Sequence, residues 1–161
     1  MTRSIITSVN AGVATLTLSQ PEIRNAFSDV VIAEITAAFA EVGQRDDVRA
    51  VVLAAEGPAF CAGANLNWMR AMADYTREEN LADAGKLAAM LHTIATCPHP
   101  TIARVQGDVY AGGMGLVAAC DMAVAVQEAH FCLSEVKIGL IPATIAPYVL
   151  RAMGTRAGQR Y

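Results

Sequence analysis

Apolar runs of strand length alternate with longer amphipathic segments along most of the chain. Residues 4–19 alternate with period two on either side of a turn at 10–12, which predicts a β-hairpin. Residues 29–43 have apolar positions at helical spacing, after Ser28 as the predicted N-cap. Residues 48–55 are apolar throughout, as is typical of a strand covered on both faces. Strands that alternate with helices in this way predict an α/β fold.

The second half of the chain continues the alternation. Thr76 and Glu79 form a capping-box pattern that opens a long predicted helix. The apolar stripe expected on this helix comprises Leu81, Leu87, Leu91 and Ile94. Two further apolar runs, 102–105 and 122–126, predict buried strands on either side of a helix of small residues. A last helical stretch is expected at about 144–153.

Composition excludes several classes of protein. The 161 residues are 54% hydrophobic and carry a net charge of −3, which excludes disorder, and we expect one domain spanning residues 1–161. Acidic residues (15) outnumber basic ones (12) and no basic run occurs, so we expect no nucleic-acid or membrane partner. The apolar segment 109–126 contains Asp121, which favours buried protein structure over a membrane span.

Cysteine and histidine usage gives no sign of a disulfide framework or a metal site. The four cysteines lie far apart without a C-x-x-C pair, and the N-terminus lacks the long apolar segment of a secretory signal. We therefore expect reduced, buried thiols in a cytoplasmic protein. The three histidines show no metal-ligand spacing, so no metal is expected.

Two glycine-containing loops, Phe60–Leu66 and Tyr110–Leu116, each follow a predicted strand and open a helix. Helix N-termini leave amide N–H groups unpaired and carry partial positive charge. Two such ends directed at one point would make a two-donor oxyanion hole. The alternative is that both loops are tight turns whose small residues serve helix–sheet packing. Neither loop matches the phosphate-binding glycine motifs.

A third feature is a lone carboxylate, Glu135, in the otherwise apolar stretch 134–142. A carboxylate that faces an apolar pocket is suited to passing protons near neutral pH. The alternative is a solvated loop glutamate paired with Lys137.

Together these segments resemble the crotonase (enoyl-CoA hydratase/isomerase) superfamily. The segments FCAGANL, PTIARVQGDVYAGGMGLVAACDMAVA and FCLSEVKIGLIPA occur in the family's order and spacing, and VATLTLSQPEIRNAFS resembles its first CoA-contacting segment. The resemblance implies a spiral of ββα turns. It also implies that the family's C-terminal helical region, which closes the acyl pocket and builds a trimer or a hexamer, is missing from this sequence.

The resemblance also implies roles for individual residues. The amides of Ala64 and Gly112 would bind the thioester carbonyl oxygen of an acyl-CoA, and Glu135 would act as the base. Asn65 stands where many members have Asp. The implied substrate- and CoA-binding residues are Arg24, Ala26, Ala62, Gly63, Asn65, Leu66 and Gly113. The chemistry implied is proton transfer and water addition without a metal, flavin or nicotinamide, with coenzyme A as part of the substrate.

One position departs from the family pattern. The second glutamate of two-glutamate hydratases would fall at Gly115. A single glutamate is a feature of Δ3,Δ2-enoyl-CoA isomerases. The segment GGMGLVAACDMA and the sequence that follows it, however, are similar to bacterial 3-methylglutaconyl-CoA hydratase-like proteins. The sequence therefore predicts a hydratase first and an isomerase second. A catalytically degenerate module that binds acyl-CoA is the third alternative.

Overall fold

The fold consists of two sheets and six α-helices, and the computed structural model describes residues 4–160. The strands are β1 (Ile5–Asn10), β2 (Val13–Leu18), β3 (Ala50–Ala55), β4 (Ala59–Cys61), β5 (Thr101–Val105), β6 (Asp108–Tyr110), β7 (Met122–Ala125) and β8 (Phe131–Cys132). The helices are α1 (Asp29–Gly43), α2 (Leu66–Ala71), α3 (Arg77–Ala95), α4 (Gly112–Ala119), α5 (Ala146–Met153) and α6 (Thr155–Arg160). Short 3-10 turns occupy Pro21–Ile23, Met72–Asp74 and Glu135–Ile138. None of the helices in this part of the chain is long and apolar enough to cross a membrane.

The strands are used in pairs, and each pair leads into helical structure. β1 and β2 form the predicted antiparallel hairpin, and β2, β3, β5 and β7 continue the same sheet in parallel, in the order β1-β2-β3-β5-β7. In each later pair the first strand joins this five-stranded sheet, and the second joins a three-stranded sheet of order β4-β6-β8. Successive ββα turns therefore wind into a spiral, which confirms the predicted α/β architecture.

The main core lies between the five-stranded sheet and the helices. α1 has the predicted limits and buries one face, formed by Val31, Ile32, Ile35, Ala38, Phe39 and Val42. α1 also packs along α3, which begins with the predicted capping box of Thr76 and Glu79. Ser28 precedes α1, but its side chain makes no capping hydrogen bond, so that part of the prediction is wrong.

Three other predictions about local structure are wrong. Leu81 is 68% exposed, and the buried face of α3 instead begins at Asp83. β7 lies at one edge of the five-stranded sheet and is exposed along its length, although a buried strand was predicted. The loop predicted after Pro58 contains β4, which the sequence did not indicate, whereas the helix expected to open at this loop is present as the short α2. A three-residue strand and a six-residue helix are too short to produce a periodic pattern.

Candidate active site

The three-stranded sheet brings three of the predicted site segments to one edge. β4, β6 and β8 are parallel, so their carboxyl ends meet at the same edge, with neighbouring strands about 4.8 Å apart. The paired positions that set the register are Cys61, Val109 and Phe131. Ala64, Gly112 and Ser134 each follow three residues after these positions, and Glu135 comes next. The register therefore directs both predicted oxyanion amides and the predicted base to one edge.

In the first loop, the amide N–H of Ala64 points away from the neighbouring segment at Phe27. The N–H of Phe27 donates to the carbonyl oxygen of Gly63, and the N–H of Asn65 donates to the carbonyl oxygen of Phe27, both at 2.9 Å. Because Phe27 bridges the residues on either side of Ala64, the N–H of Ala64 points to the opposite side of the loop. Asn65 then caps α2, since its side-chain oxygen accepts hydrogen bonds from two amides at the start of that helix.

The second loop holds its backbone in a strained conformation. Ala111 has a φ of 47° although it is not glycine, and conformations of this kind cost of order 1–3 kcal/mol. Its N–H donates to the carbonyl oxygen of Cys132 at 2.9 Å, which ties the loop to β8. Gly112 follows as the first residue of α4, where amides lack partners within the helix.

The two loops touch each other at Gly63. A Cβ placed on Gly63 would lie 2.9 Å from the Cβ of Ala111 and 3.2 Å from the nitrogen of Gly112. Only glycine allows this approach, and Gly63 also has a φ of +86°. The Ala64 amide is therefore one residue away from the point where the second loop makes contact.

A groove of about 440 Å³ runs along the first loop. The predicted residues that line it are Ala26, Ala62, Ala64, Asn65 and Leu66. Gly63 and Gly113, the two glycines predicted to contact CoA, are buried and do not line it, and a Cβ on Gly113 would lie 2.7 Å from the carbonyl oxygen of Cys61. A larger cavity of about 1180 Å³ lies between α4, β7, β8 and α5, but neither Glu135 nor any residue of the first loop lines it. Gly112 and Glu135 line neither of the two, so we associate the smaller groove with the first loop and the predicted CoA-binding residues.

The cation that lines this groove is not the one predicted. Arg24 is exposed, and it joins the first loop through its backbone, whose carbonyl oxygen accepts a hydrogen bond from Ala62. Arg70 lines the groove, and its guanidinium donates to the side-chain oxygen of Asn67 at 3.0 Å. Leu66 and Arg70 are four residues apart and so share a helix face. The sequence predicted that a helix opens at this loop but not its extent, and placing α2 over residues 66–71 would have revealed Arg70.

The Glu135 carboxylate has a buried oxygen without a hydrogen-bond partner. Glu135 begins the 3-10 turn after β8 and is half-buried. Within residues 4–160, no group donates a hydrogen bond to its Oε2. Buried acceptors are normally satisfied, because leaving one unpaired costs about 1–3 kcal/mol. Lys137 forms no ion pair with it in this part of the chain, so the paired surface glutamate considered above is not what the structure contains.

The space beside Gly115 is already filled. A Cβ on Gly115 would lie 2.5 Å from the Cγ2 methyl of Ile145 and 3.3 Å from Cδ2 of Leu91. A side chain at this position would therefore require Ile145 to move. The packing explains why the position is glycine, and it leaves Glu135 without a second carboxylate at residue 115.

Cys61 is buried next to the first loop and takes part in a group of buried hydrogen bonds with Asn25. Burial raises the pKa of its thiol to about 12, so the thiol stays protonated and is not a nucleophile. Its S–H donates to the carbonyl oxygen of Asn25 at 3.2 Å. The buried Asn25 amide in turn donates to the carbonyl oxygens of Glu56 and Ala59. Sequence reasoning missed Asn25, whose φ of 52° and buried amide fix the segment before Ala26.

Comparison with known proteins identifies the family. A sequence model described as enoyl-CoA hydratase/isomerase matches residues 8–161. The chain belongs to the enoyl-CoA hydratase/isomerase family. The crystal structure of an enoyl-CoA hydratase from Shewanella pealeana superimposes on this family member with a TM-score of 0.95 at 44% identity, over 99% of this chain. An enoyl-CoA hydratase from Mycobacterium smegmatis superimposes with a TM-score of 0.92 at 38% identity, also over 99% of this chain.

Curated sequences agree with the structural neighbours. An enoyl-CoA hydratase of Alternaria alternata is 36% identical to this family member over 148 residues, which is 89% of the chain. The match spans 46% of the Alternaria protein, and the structural matches span 60% and 62% of the Shewanella and Mycobacterium chains. The chain therefore spans about half to three-fifths of the length of these relatives.

Proposed function

We propose that this protein is an enoyl-CoA hydratase, which adds water across the α,β double bond of an acyl-CoA thioester. The observation that carries the proposal is the register of the three-stranded sheet, which directs residues 64, 112 and 135 to one edge. The contact between Gly63 and the nitrogen of Gly112 supports it, because both predicted donors lie beside that contact.

In the proposed mechanism, the N–H groups of Ala64 and Gly112 donate to the thioester carbonyl oxygen. Negative charge develops on this oxygen as the enolate forms, and fixed amides stabilise it without reorganising. Removing one donor of such a pair typically costs about 2.7–4 kcal/mol. The strain at Ala111 is consistent with this role, since strained backbone is found where a group must be held in place for function.

Glu135 performs both proton transfers in the proposed reaction. Its carboxylate takes a proton from water while the water oxygen bonds to Cβ, and the electron pair of the double bond moves to form the enolate. The same group then gives that proton to Cα, so the sum is addition of one water. The unpartnered Oε2 supports this role, because a bound water would satisfy it.

The proposed substrate handle is coenzyme A, lying along the groove beside the first loop. Arg70 supplies a cation that can bind phosphate. The acyl group proposed is branched, as in 3-methylglutaconyl-CoA or a related thioester, and the proposed assembly is a homotrimer or a hexamer. Neither a metal nor a redox cofactor enters the proposed steps.

A Δ3,Δ2-enoyl-CoA isomerase is the second candidate, and the packing at Gly115 favours it. Ile145 fills the space where a second carboxylate would project, so one base is available, and one base suffices to move a proton between Cγ and Cα. A module that binds acyl-CoA without turnover is the third candidate.

A spectroscopic assay separates these candidates. A hydratase removes the absorbance of a 2-enoyl thioester, an isomerase creates that absorbance from a 3-enoyl-CoA, and a binding module does neither. Glu135→Gln keeps the shape and removes the base, so it is expected to reduce turnover at least a hundredfold. Exposed Glu128→Gln serves as the matched control and retains activity. If Glu135→Gln keeps most of its activity, the assignment of the base is wrong.

A further inference from the structure

Asp83 is a buried acid that the reaction described so far does not use. The buried face of α3 is formed by Met90, Leu91 and Ile94, with Leu87 half-buried, and Asp83 extends that face toward the N-terminus. Asp83 is only 5% exposed. Within residues 4–160, its Oδ2 has no hydrogen-bond partner, and its Oδ1 lies 3.8 Å from the mostly exposed Lys86 ammonium.

Helix direction gives the position of Asp83 relative to the site. Thr101, in the strand after α3, and Asp121, which follows α4, are hydrogen-bonded to each other, so the C-terminal ends of the two helices lie on the same side and the helices run in the same direction. They meet where Leu91 faces Gly115. Asp83 lies about 12 Å before Leu91 along α3, whereas Gly112 lies about 4.5 Å before Gly115 along α4. Measured along the helix axes, Asp83 therefore lies about 7.5 Å beyond the level of the Gly112 amide, past the N-terminus of α4.

The surroundings of Asp83 do not give it a structural role. It lies in the interior of α3, where Thr76 is the N-cap, so it does not cap that helix. Its contact with Lys86 is at the long limit of an ion pair, and Lys86 is 60% exposed. An unsatisfied buried acceptor calls for an explanation, and a ligand that donates a hydrogen bond to it is one.

We propose that Asp83 is the specificity-determining residue at the acyl end of the site, where it accepts a hydrogen bond from a donor on the acyl chain. The substrate class is an enoyl-CoA whose acyl group carries a hydroxyl or another neutral donor beyond the double bond. This inference rests on the proposed function and chooses among its branched acyl groups. It disfavours 3-methylglutaconyl-CoA, because a distal carboxylate has no hydrogen to donate to Asp83.

The test compares three 2-enoyl-CoA thioesters with the same carbon skeleton, ending in a hydroxyl, a methyl and a carboxylate. The wild type is expected to prefer the hydroxyl over the methyl compound by about tenfold to a hundredfold in kcat/KM, and to turn over the carboxylate compound slowest. Asp83→Leu loses or reverses the preference for the hydroxyl. Glu78→Leu, on the exposed side of the same helix, keeps it.

Thermal unfolding separates a specificity role from a structural one. Asp83→Leu removes an unpartnered buried carboxylate, so its Tm is expected to rise, whereas loss of a structural contact lowers Tm. If the leucine variant does not fold, Asp83→Asn serves instead, because it keeps the size and an acceptor and removes the charge. Turnover of the carboxylate compound then rises several-fold, while the preference for the hydroxyl falls only slightly.

The outcomes also separate this inference from the proposed function. If wild type turns over no 2-enoyl-CoA, including crotonyl-CoA, the proposed function fails. If wild type turns over crotonyl-CoA in a Glu135-dependent way but does not distinguish the hydroxyl from the methyl compound, only the role of Asp83 is overturned. A wild-type preference for the carboxylate compound, or an unchanged preference in Asp83→Leu, overturns it as well.

Discussion

Replacing Gly63 with alanine tests the contact on which the proposed oxyanion hole depends. Gly63 has a φ of +86°, and this backbone conformation costs an L-residue about 1–2 kcal/mol. The new Cβ would also lie 2.9 Å from the Cβ of Ala111 and 3.2 Å from the nitrogen of Gly112, and crowding of this kind costs about 1–3 kcal/mol more. Together these terms correspond to a decrease in Tm of about 5–15 °C.

The effect on catalysis follows from where the strain is relieved. The second loop must move away from the new methyl group, which moves the Gly112 amide away from that of Ala64. Losing the contribution of one donor lowers kcat by about a hundredfold to a thousandfold. The assay is hydration of a 2-enoyl-CoA at a temperature at which the variant is fully folded.

Gly12→Ala is the matched control. Gly12 has a nearly equal φ of +81°, and it lies in the β1–β2 turn, where the nearest atoms belong to the flexible Arg49 side chain. It should lose stability through backbone strain and keep its kcat. If Gly63→Ala and Gly12→Ala retain the same kcat, the two loops do not form a joint catalytic unit, and the reasoning is refuted.

Three further predictions follow from contacts described above. Arg70→Gln should raise the KM for a CoA thioester about threefold to tenfold while kcat stays nearly constant, whereas Arg45→Gln, outside the groove, should change neither in steady-state assays. Gly115→Ala should lower the free energy of unfolding by about 1–3 kcal/mol because of Ile145, and a double-mutant cycle with Ile145→Ala should recover part of that loss in urea titrations. Folded Cys61 keeps its proton up to about pH 12, whereas the unfolded chain loses it above the ordinary thiol pKa. Stability should therefore fall by up to about 1.4 kcal/mol per pH unit above that value, and Cys61→Ala should show a shallower slope in urea titrations between pH 8 and 11.

The sequence predicted the elements with clear periodicity and missed those that depend on tertiary position. The helix over 29–43 and the Thr76 capping box are confirmed because local spacing determines both. The exposure of β7 depends on which parts of the fold pack against its faces, and no local pattern records that. The buried face of α3 was predicted to begin at Leu81, because apolar residues are expected to be buried. An acid, Asp83, is buried there instead.

The candidate site likewise combines features that local sequence motifs indicate with features that depend on tertiary position. Its loops and Glu135 were named from motifs, and their roles remain proposals, whereas the contact between Gly63 and Gly112 could not be read from residues 49 positions apart. Arg70 was missed because α2 is only six residues long. Ile145, which closes the space beside Gly115, also lies in a later turn of the spiral than the residue it contacts.

The ββα winding has a consequence for how ligand binding and folding are linked. The first turn contributes the segment around Ala26, the second the Ala64 loop, the third the Gly112 loop and the fourth Glu135, each after the second strand of its pair. A ligand that contacts all four segments links parts of the chain that are distant in sequence, so that the four turns are stabilised together. Saturating acyl-CoA should therefore slow amide hydrogen exchange in all four turns at once, including strands that the ligand never touches.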